Sequence, residues 1–316
     1  MQFGFGIPTR GPLATPEAIA SMVTKGEELG YSIVTASDHV VVPRDIAARY
    51  PYSDTGDFPG GDTGECMEQL SLLAFVAGRM TGMRLLTSVM VVPHRQPVLA
   101  AKMLATIDVL SGGRLLLGCG TGWMQEEFEA LQTAPYAERG KVTDEYIRIF
   151  KELWTSDDPK FAGQYAGFSN LTFLPKPTAK PHPPIWVGGE SVAALRRVSR
   201  LGDVWYPIGI NPKHPLDTHA QFAARLADLR RVAEAEGRAP DSISVAYDAI
   251  WYDETREVRA FDGSRRIFTG SPAAIAEDVA KMKEAGVKNV ILRFTGDDLS
   301  NVLERMGRFM QEVAKR

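Results

Sequence analysis

Cysteine is nearly missing from this chain of 316 residues: only Cys66 and Cys119 occur, with no CxxC pair and no histidines at zinc spacing near either. A disulfide framework is excluded, no structural metal is expected, and a reducing compartment follows. Long apolar runs are missing as well. None approaches the roughly 18 residues that a membrane-spanning helix needs. The first ten residues, MQFGFGIPTR, hold neither a charged nor an apolar leader region, so the chain is expected to be cytoplasmic and unprocessed, with no membrane partner. An excess of charge of one sign is also lacking. Lys and Arg number 36 against 39 Asp and Glu, a net charge of −3 without long blocks of either sign, which argues against a nucleic-acid partner. What is present is an ordinary soluble composition, 44% apolar and 24% charged, with enough apolar residues for a large core.

Apolar runs of four to eight residues, the pattern of strands buried on both faces of a parallel sheet, recur eight times. They are Phe3 to Pro8, Ser32 to Ser37, Met83 to Val92, Leu115 to Cys119, Pro184 to Gly188, Asp203 to Pro207, Ile243 to Ala249 and Asn289 to Phe294. Segments with three-to-four-residue apolar spacing, such as Ile19, Met22, Val23 and later Ile275, Val279, Met282, alternate with them as amphipathic helices. Thr15-Pro16 and Ser271-Pro272 are helix starts, and Gly30, Gly202 and Gly286 stand where helices should stop. Eight βα units with no Pro/Gly/Ser-rich linker fit one α/β domain over residues 1–316, a single (β/α)₈ TIM barrel with insertions in its βα loops, ahead of a doubly wound sheet. Three insertions stand out, at 43–65, 157–183 and 251–268, and are expected to wall the substrate site.

In such a barrel, functional residues gather at the C-terminal ends of strands. Asp38-His39 closes the second strand, and serves either as a loop anchor or as an acid/base pair titrating near neutral pH. Ser88-Val89-Met90 ends the third strand, followed by a turn that contains Arg95. Gly118, Gly120 and Gly122 interrupt the fourth strand end around Thr121 and Trp123, where backbone without Cβ lets a flat or phosphorylated ligand come close. As a dinucleotide fingerprint the run is weak, for it falls at the fourth strand and no helix opens at its last glycine. Gly188-Gly189-Glu190-Ser191 joins the fifth strand to a helix, where free N–H groups suit an anion while Ser191 reads equally as an N-cap. Arg265-Arg266 reads as a solvated pair or as a substrate-anion contact. A metal-dependent hydrolase would need three or four convergent ligands, and only Asp38 and His39 qualify.

At these clusters the chain resembles the luciferase-like monooxygenase superfamily, and within it the F420-dependent oxidoreductases. The resemblance runs from FGFGIP through SDH, LLTSVMVVPHRQPVLAAKMLATIDVLSGGRLLLGCGTGWMQEEFEAL and ERGKVTDEYIRIFKELWT to PKPTAKPHPPIWVGGES. It implies a barrel that binds a reduced flavin or deazaflavin at its C-terminal face, with a non-prolyl cis peptide between Ser88 and Val89 backing the ring. It also implies that Met90, Gly120, Thr121 and Trp123 lie about the ring, that Gly188, Gly189, Glu190 and Ser191 hold the cofactor phosphate, and that Asp38 and His39 stand near the reacting carbon. Three departures qualify the match, the first being Trp123 where sugar-phosphate dehydrogenases of the superfamily carry an acid. Val40 to Arg44 follow the Asp-His pair where sugar-phosphate dehydrogenases of the superfamily carry a Trp, and Thr121 replaces the arginine of bacterial luciferase.

The resemblance thus points to an oxidoreductase acting on a small organic substrate. Coenzyme F420 comes first as cofactor, with hydride transfer and His39, oriented by Asp38, as acid or base. FMN with oxygen chemistry is the alternative, and a non-catalytic flavin-binding barrel a further one. A homodimer is expected, with the helices around Leu70 to Val76 and Leu99 to Leu110 as candidate contacts.

Overall fold

A strand that is apolar on both faces is satisfied only if one face meets a barrel interior and the other a shell of helices. All eight apolar runs do this in the computed structural model, which describes residues 1–53 and 55–315. The barrel strands are β1 (Gln2–Gly6), β2 (Ile33–Ala36), β3 (Arg84–Thr87), β4 (Leu115–Gly120), β5 (Ile185–Gly188), β6 (Val204–Tyr206), β7 (Ser244–Ala249) and β8 (Val287–Leu292). All pair in parallel, and pairing of β1 with β8 and of β3 with β4 closes the ring into a TIM barrel. A two-residue strand, Met90–Val91, continues β3 beside Cys119 and Gly120.

Ile33, Leu86, Leu116, Trp186, Ala246 and Ile291 fill the interior. The space is tight at the bottom: a Cβ on Gly4 would stand 2.6 Å from Ile291 Cδ1 and 2.8 Å from Ile33 Cβ. The outer strand faces, with Phe5, Val34, Leu85, Leu117 and Val187, pack against the helices through residues such as Ile19, Leu73, Leu104, Ile147 and Leu195. These helices are α1 (Pro16–Leu29), α2 (Gln69–Ala77), α3 (Pro97–Leu110), α4 (Gln125–Leu131), α5 (Arg139–Thr155), α6 (Val192–Leu201), α7 (His219–Ala235), α8 (Pro272–Glu284) and α9 (Leu299–Glu312). Local signals set their ends. Thr15 caps α1 by accepting from Ala18 N, worth about 1 kcal/mol, and Gly30 ends it at φ 86°.

The insertions do not share one face, which corrects the expectation drawn from their length. Residues 43–65 follow β2 and lie at the mouth, whereas 157–183 lie between α5 and β5 and so sit at the opposite end of the barrel. There they form a hairpin, Phe161–Ala162 with Gly167–Phe168, held by Glu145 accepting from Gln164, Tyr165 and Ala166 N–H groups. Residues 251–268 follow β7 but fold back on themselves, with Trp251 Nε1 donating to Ile267 O. No helix among the described residues is long and apolar enough to cross a membrane.

Candidate active site

Strand ends converge on a cavity of about 710 Å³ at the barrel mouth. Asp38, His39, Ser88, Val89, Gly120, Thr121, Trp123, Gly188 and Gly189 line it, as their places at strand ends predict. Three expected residues do not. Met90 is fully buried in the outer core, because side chains alternate along an extended strand and its neighbours Val89 and Val91 take the cavity side. Glu190 turns inward, accepting from Ile208 N at 2.8 Å and Asn211 Nδ2 at 3.1 Å, and burial pushes its carboxyl up to about 7. Ser191 is the N-cap of α6, its hydroxyl accepting from Ala194 N.

The Ser88–Val89 peptide is cis. Val89 then stands against two bare backbones: a Cβ on Gly120 would meet Val89 Cγ2 at 2.5 Å, and one on Gly188 would lie 3.2 Å from Val89 Cγ1. Gly189 adopts φ 106°, a conformation open to glycine and few others. Together these residues make a low platform on the β3–β5 side of the cavity, leading to the N-terminus of α6.

Asp38 does not orient His39, contrary to the expectation from their adjacency. Neighbouring side chains at a strand end point to opposite sides. Asp38 accepts two bonds of 2.8 Å from Arg95 and one from Val91 N, and Arg95 also reaches Glu68 at 2.6 Å. His39 Nδ1 instead lies 2.8 Å from Glu127 Oε2, and Glu127 Oε1 accepts from Val40 N at 2.7 Å. Burial would raise the Glu127 carboxyl, but His39, His94 and the Val40 N–H together hold it below its ordinary value. His94 lies behind it, Nδ1 3.8 Å from Glu127 Oε1, with burial keeping its own pKa low. The imidazole facing the cavity is thus fixed by an ionised carboxylate on α4.

The floor of the cavity is polar. Arg293, just past β8, crosses above Gly6, where a Cβ would stand 1.9 Å from its Nη1. Its Nη1 donates to Thr35 Oγ1, and its Nη2 donates to Ser88 Oγ at 3.1 Å and Asp248 Oδ2 at 3.2 Å. Tyr206 donates to the same Asp248 oxygen at 2.9 Å. Burial raises the Asp248 carboxyl while the Arg293 charge pulls it down, and the net direction is upward.

An aromatic wall closes the other side. The first insertion brings Tyr50, Tyr52 and Phe58 over His39 and Trp123, with ring centroids 4.7 Å apart for His39–Phe58 and 5.1 Å for Tyr50–Trp123. The Glu126 side chain pins this loop by accepting from Ala47 and Ala48 N–H groups. Arg10 lies 4.8 Å over the Phe58 ring at the cavity rim. Arg265 and Arg266 take no part: each is bound by a buried carboxylate, Asp278 and Asp217, outside the cavity. Among the described residues, no group of three or more His, Cys, Asp or Glu is placed to hold a metal ion.

The family model described as luciferase-like monooxygenase matches residues 1–252. The chain belongs to this family. An FMNH2-dependent dimethylsulfone monooxygenase of Pseudomonas putida is 36% identical over 192 residues, covering 60% of this chain and 50% of that one, so the match spans half the relative's length. An uncharacterized protein of Mycobacterium tuberculosis is 35% identical over 219 residues, 69% of this chain and 73% of the other. Among solved structures, an F420-dependent secondary alcohol dehydrogenase in complex with an F420-acetone adduct superposes with TM-score 0.76 at 15% identity, covering 99% of this chain and 98% of that one. Monooxygenase RslO1 from Streptomyces bottropensis gives 0.74 at 21%, covering 100% and 99%. Those two likenesses are of fold. Membership relates the chain to luciferase-like monooxygenases, and the relative from Pseudomonas putida is FMNH2-dependent.

Glu127, Tyr206, Asp248 and Arg293 escaped the sequence reading. Two carried a legible signal: a charge inside an otherwise apolar run, in VAYDA and in VILRF, placed near the strand's C-terminal end. Glu127 had none beyond an acidic helix start after the glycine-rich strand, because its partner lies 88 residues away.

Proposed function

We propose that this chain is an FMNH2-dependent monooxygenase of a small organic molecule. The observation that carries this reading is the platform of Val89 seated on the bare backbone of Gly120 and Gly188, a low apolar surface on which a flat ring fits, joined to the α6 N-terminus, which suits the ring's phosphate. FMN is placed ahead of F420, reversing the order taken from the motifs, because the relative at 36% identity is FMNH2-dependent. A bound reduced flavin would supply two electrons, to dioxygen with FMN or as hydride to the substrate with F420.

The chain's own residues provide the remainder. Gly188, Gly189 and the first turn of α6 would hold the phosphate through backbone N–H groups, and Val89 would back the ring. His39, fixed by Glu127, holds or delivers a proton at Nε2. Trp123, Tyr50 and Phe58 exclude water. The deazaflavin reading keeps one support, since hydride transfer to or from an alcohol carbon needs a single proton donor or acceptor of the His39–Glu127 kind. Titrating the purified protein with FMN and with F420, each oxidised and reduced, and following oxygen uptake decides between them. Binding of neither would end both readings.

A homodimer and a cytoplasmic location belong to the same proposal. Leu70, Leu72, Leu73 and Val76 are buried in the chain's own core and offer a partner nothing, whereas Leu99, Val109 and Leu110 on α3 stand exposed and supply the proposed contact. The two free cysteines suit a reducing compartment.

A further inference from the structure

Asp248 is 1% exposed, lines the cavity, and uses only one of its two carboxylate oxygens. Tyr206, Arg293 and, at 3.4 Å, Ser88 all converge on Oδ2. Oδ1 has no partner. Buried carboxylate oxygens are almost always satisfied, and an unsatisfied one on a residue that lines a cavity marks a place where a ligand's hydrogen-bond donor completes the set. Beside it stands the guanidinium of Arg293, a donor held in place by Thr35 and Ser88. The floor therefore presents an acceptor and a donor side by side.

The residue next to Ser88 in the chain is Val89, the platform on which the proposed ring would lie. Through Ser88, which both Asp248 and Arg293 contact, this cluster stands next to the platform. Isoalloxazine and deazaflavin share one polar edge, an imide in which an N–H stands between two carbonyl groups. We propose that Asp248 and Arg293 read this imide edge, Asp248 Oδ1 accepting from the ring N–H and Arg293 donating to a neighbouring carbonyl, so that the pair fixes the ring's orientation in the cavity. The inference rests on the flavin reading above and deepens it, and it holds for either cofactor, because the edge is common to both. The Arg293 guanidinium beside Asp248 favours its charged, accepting form, against the burial that opposes it.

The test uses binding alone. FMN and 3-methyl-FMN, or the deazaflavin and its 3-methyl derivative if that ring binds tighter, are titrated into the full chain by fluorescence quenching. The methyl group removes the donor and leaves both carbonyls. Unsubstituted protein should bind the methylated ring roughly ten- to a hundredfold more weakly, the range for a hydrogen bond to a charged acceptor. Asp248→Ala should bind both rings within about threefold of each other, having lost affinity only for the unmethylated one. If Asp248→Ala does not fold, Asp248→Ala with Arg293→Met removes both charges together and answers the same question. Equal affinity of the unsubstituted protein for the two rings overturns the inference. So does discrimination that survives removal of Asp248, which would place the imide edge against another wall and leave Oδ1 to a substrate donor. Failure of the unsubstituted protein to bind any flavin or deazaflavin overturns the flavin reading itself, and is told apart by the absence of quenching with either parent ring.

Discussion

Replacing Glu190 with Gln should remove a pH dependence from the stability of this fold. Glu190 is 1% exposed and its carboxyl is pushed up to about 7 by burial, even though Ile208 N and Asn211 Nδ2 both donate to it. In the unfolded chain the same group titrates near 4.5. Between these two pH values the folded protein keeps a proton that the unfolded chain has released. The unfolding free energy therefore falls as pH rises: the contribution is full below about 4.5 and is lost as pH passes through about 7. A gap of about 2.5 in pKa, at about 1.4 kcal/mol each, makes the loss roughly 3 kcal/mol. Gln mimics the protonated acid at every pH. Urea unfolding at pH 4, 5, 6, 7 and 8 should show Glu190→Gln more stable than the unsubstituted protein by about 1 kcal/mol at pH 5 and by roughly 3 kcal/mol at pH 8, with unchanged m-values. A difference between the two proteins that does not vary with pH would refute the reasoning, because it would mean that Glu190 titrates alike in the folded and unfolded chain.

His39→Ala should lower turnover at least about tenfold while flavin binding, followed by fluorescence, persists; an unchanged rate takes His39 out of the mechanism. Gly120→Ala sets a Cβ 2.5 Å from Val89 Cγ2, and should cost about 1–3 kcal/mol in urea unfolding together with weaker flavin binding; full affinity would show that no ring lies there. Arg95→Met leaves the fully buried Asp38 side chain without its cation and should destabilise by about 3–5 kcal/mol. The matching loss of the solvent-exposed Arg200–Glu236 pair through Arg200→Ala should cost far less, and equal costs for the two would contradict the role given to burial. Leu110→Glu on the exposed face of α3 should shift the sedimentation of the protein from dimer to monomer, and no shift would remove that face from the contact.

The barrel was legible because burial on both faces leaves a local record. Strands such as Leu115–Gly120 and Ile185–Gly188 announce themselves as continuous apolar runs, and caps such as Thr15 and Ser271 announce the helices between them. Glycines at 120, 188 and 189 were legible for a related reason, since a missing side chain at a strand end has few other uses. Adjacency misled at Asp38-His39, where the two side chains part company, and at Met90, where strand alternation hides one residue of three. Loop length misled at 157–183, because length alone does not say at which end of the barrel a loop emerges.

By itself, then, the sequence indicated the strands, the helix ends and an α/β fold with a barrel ahead of a doubly wound sheet. These depend on residues within a turn or two of one another. Only the tertiary structure decided that the ring closes, that Glu127 rather than Asp38 holds His39, and that Asp248 and Arg293 meet under the cavity from β7 and β8, leaving one carboxylate oxygen without a partner among the described residues. Such pairings join residues 45 and 88 positions apart, and no local pattern encodes them, because what brings the partners together is closure of the whole ring.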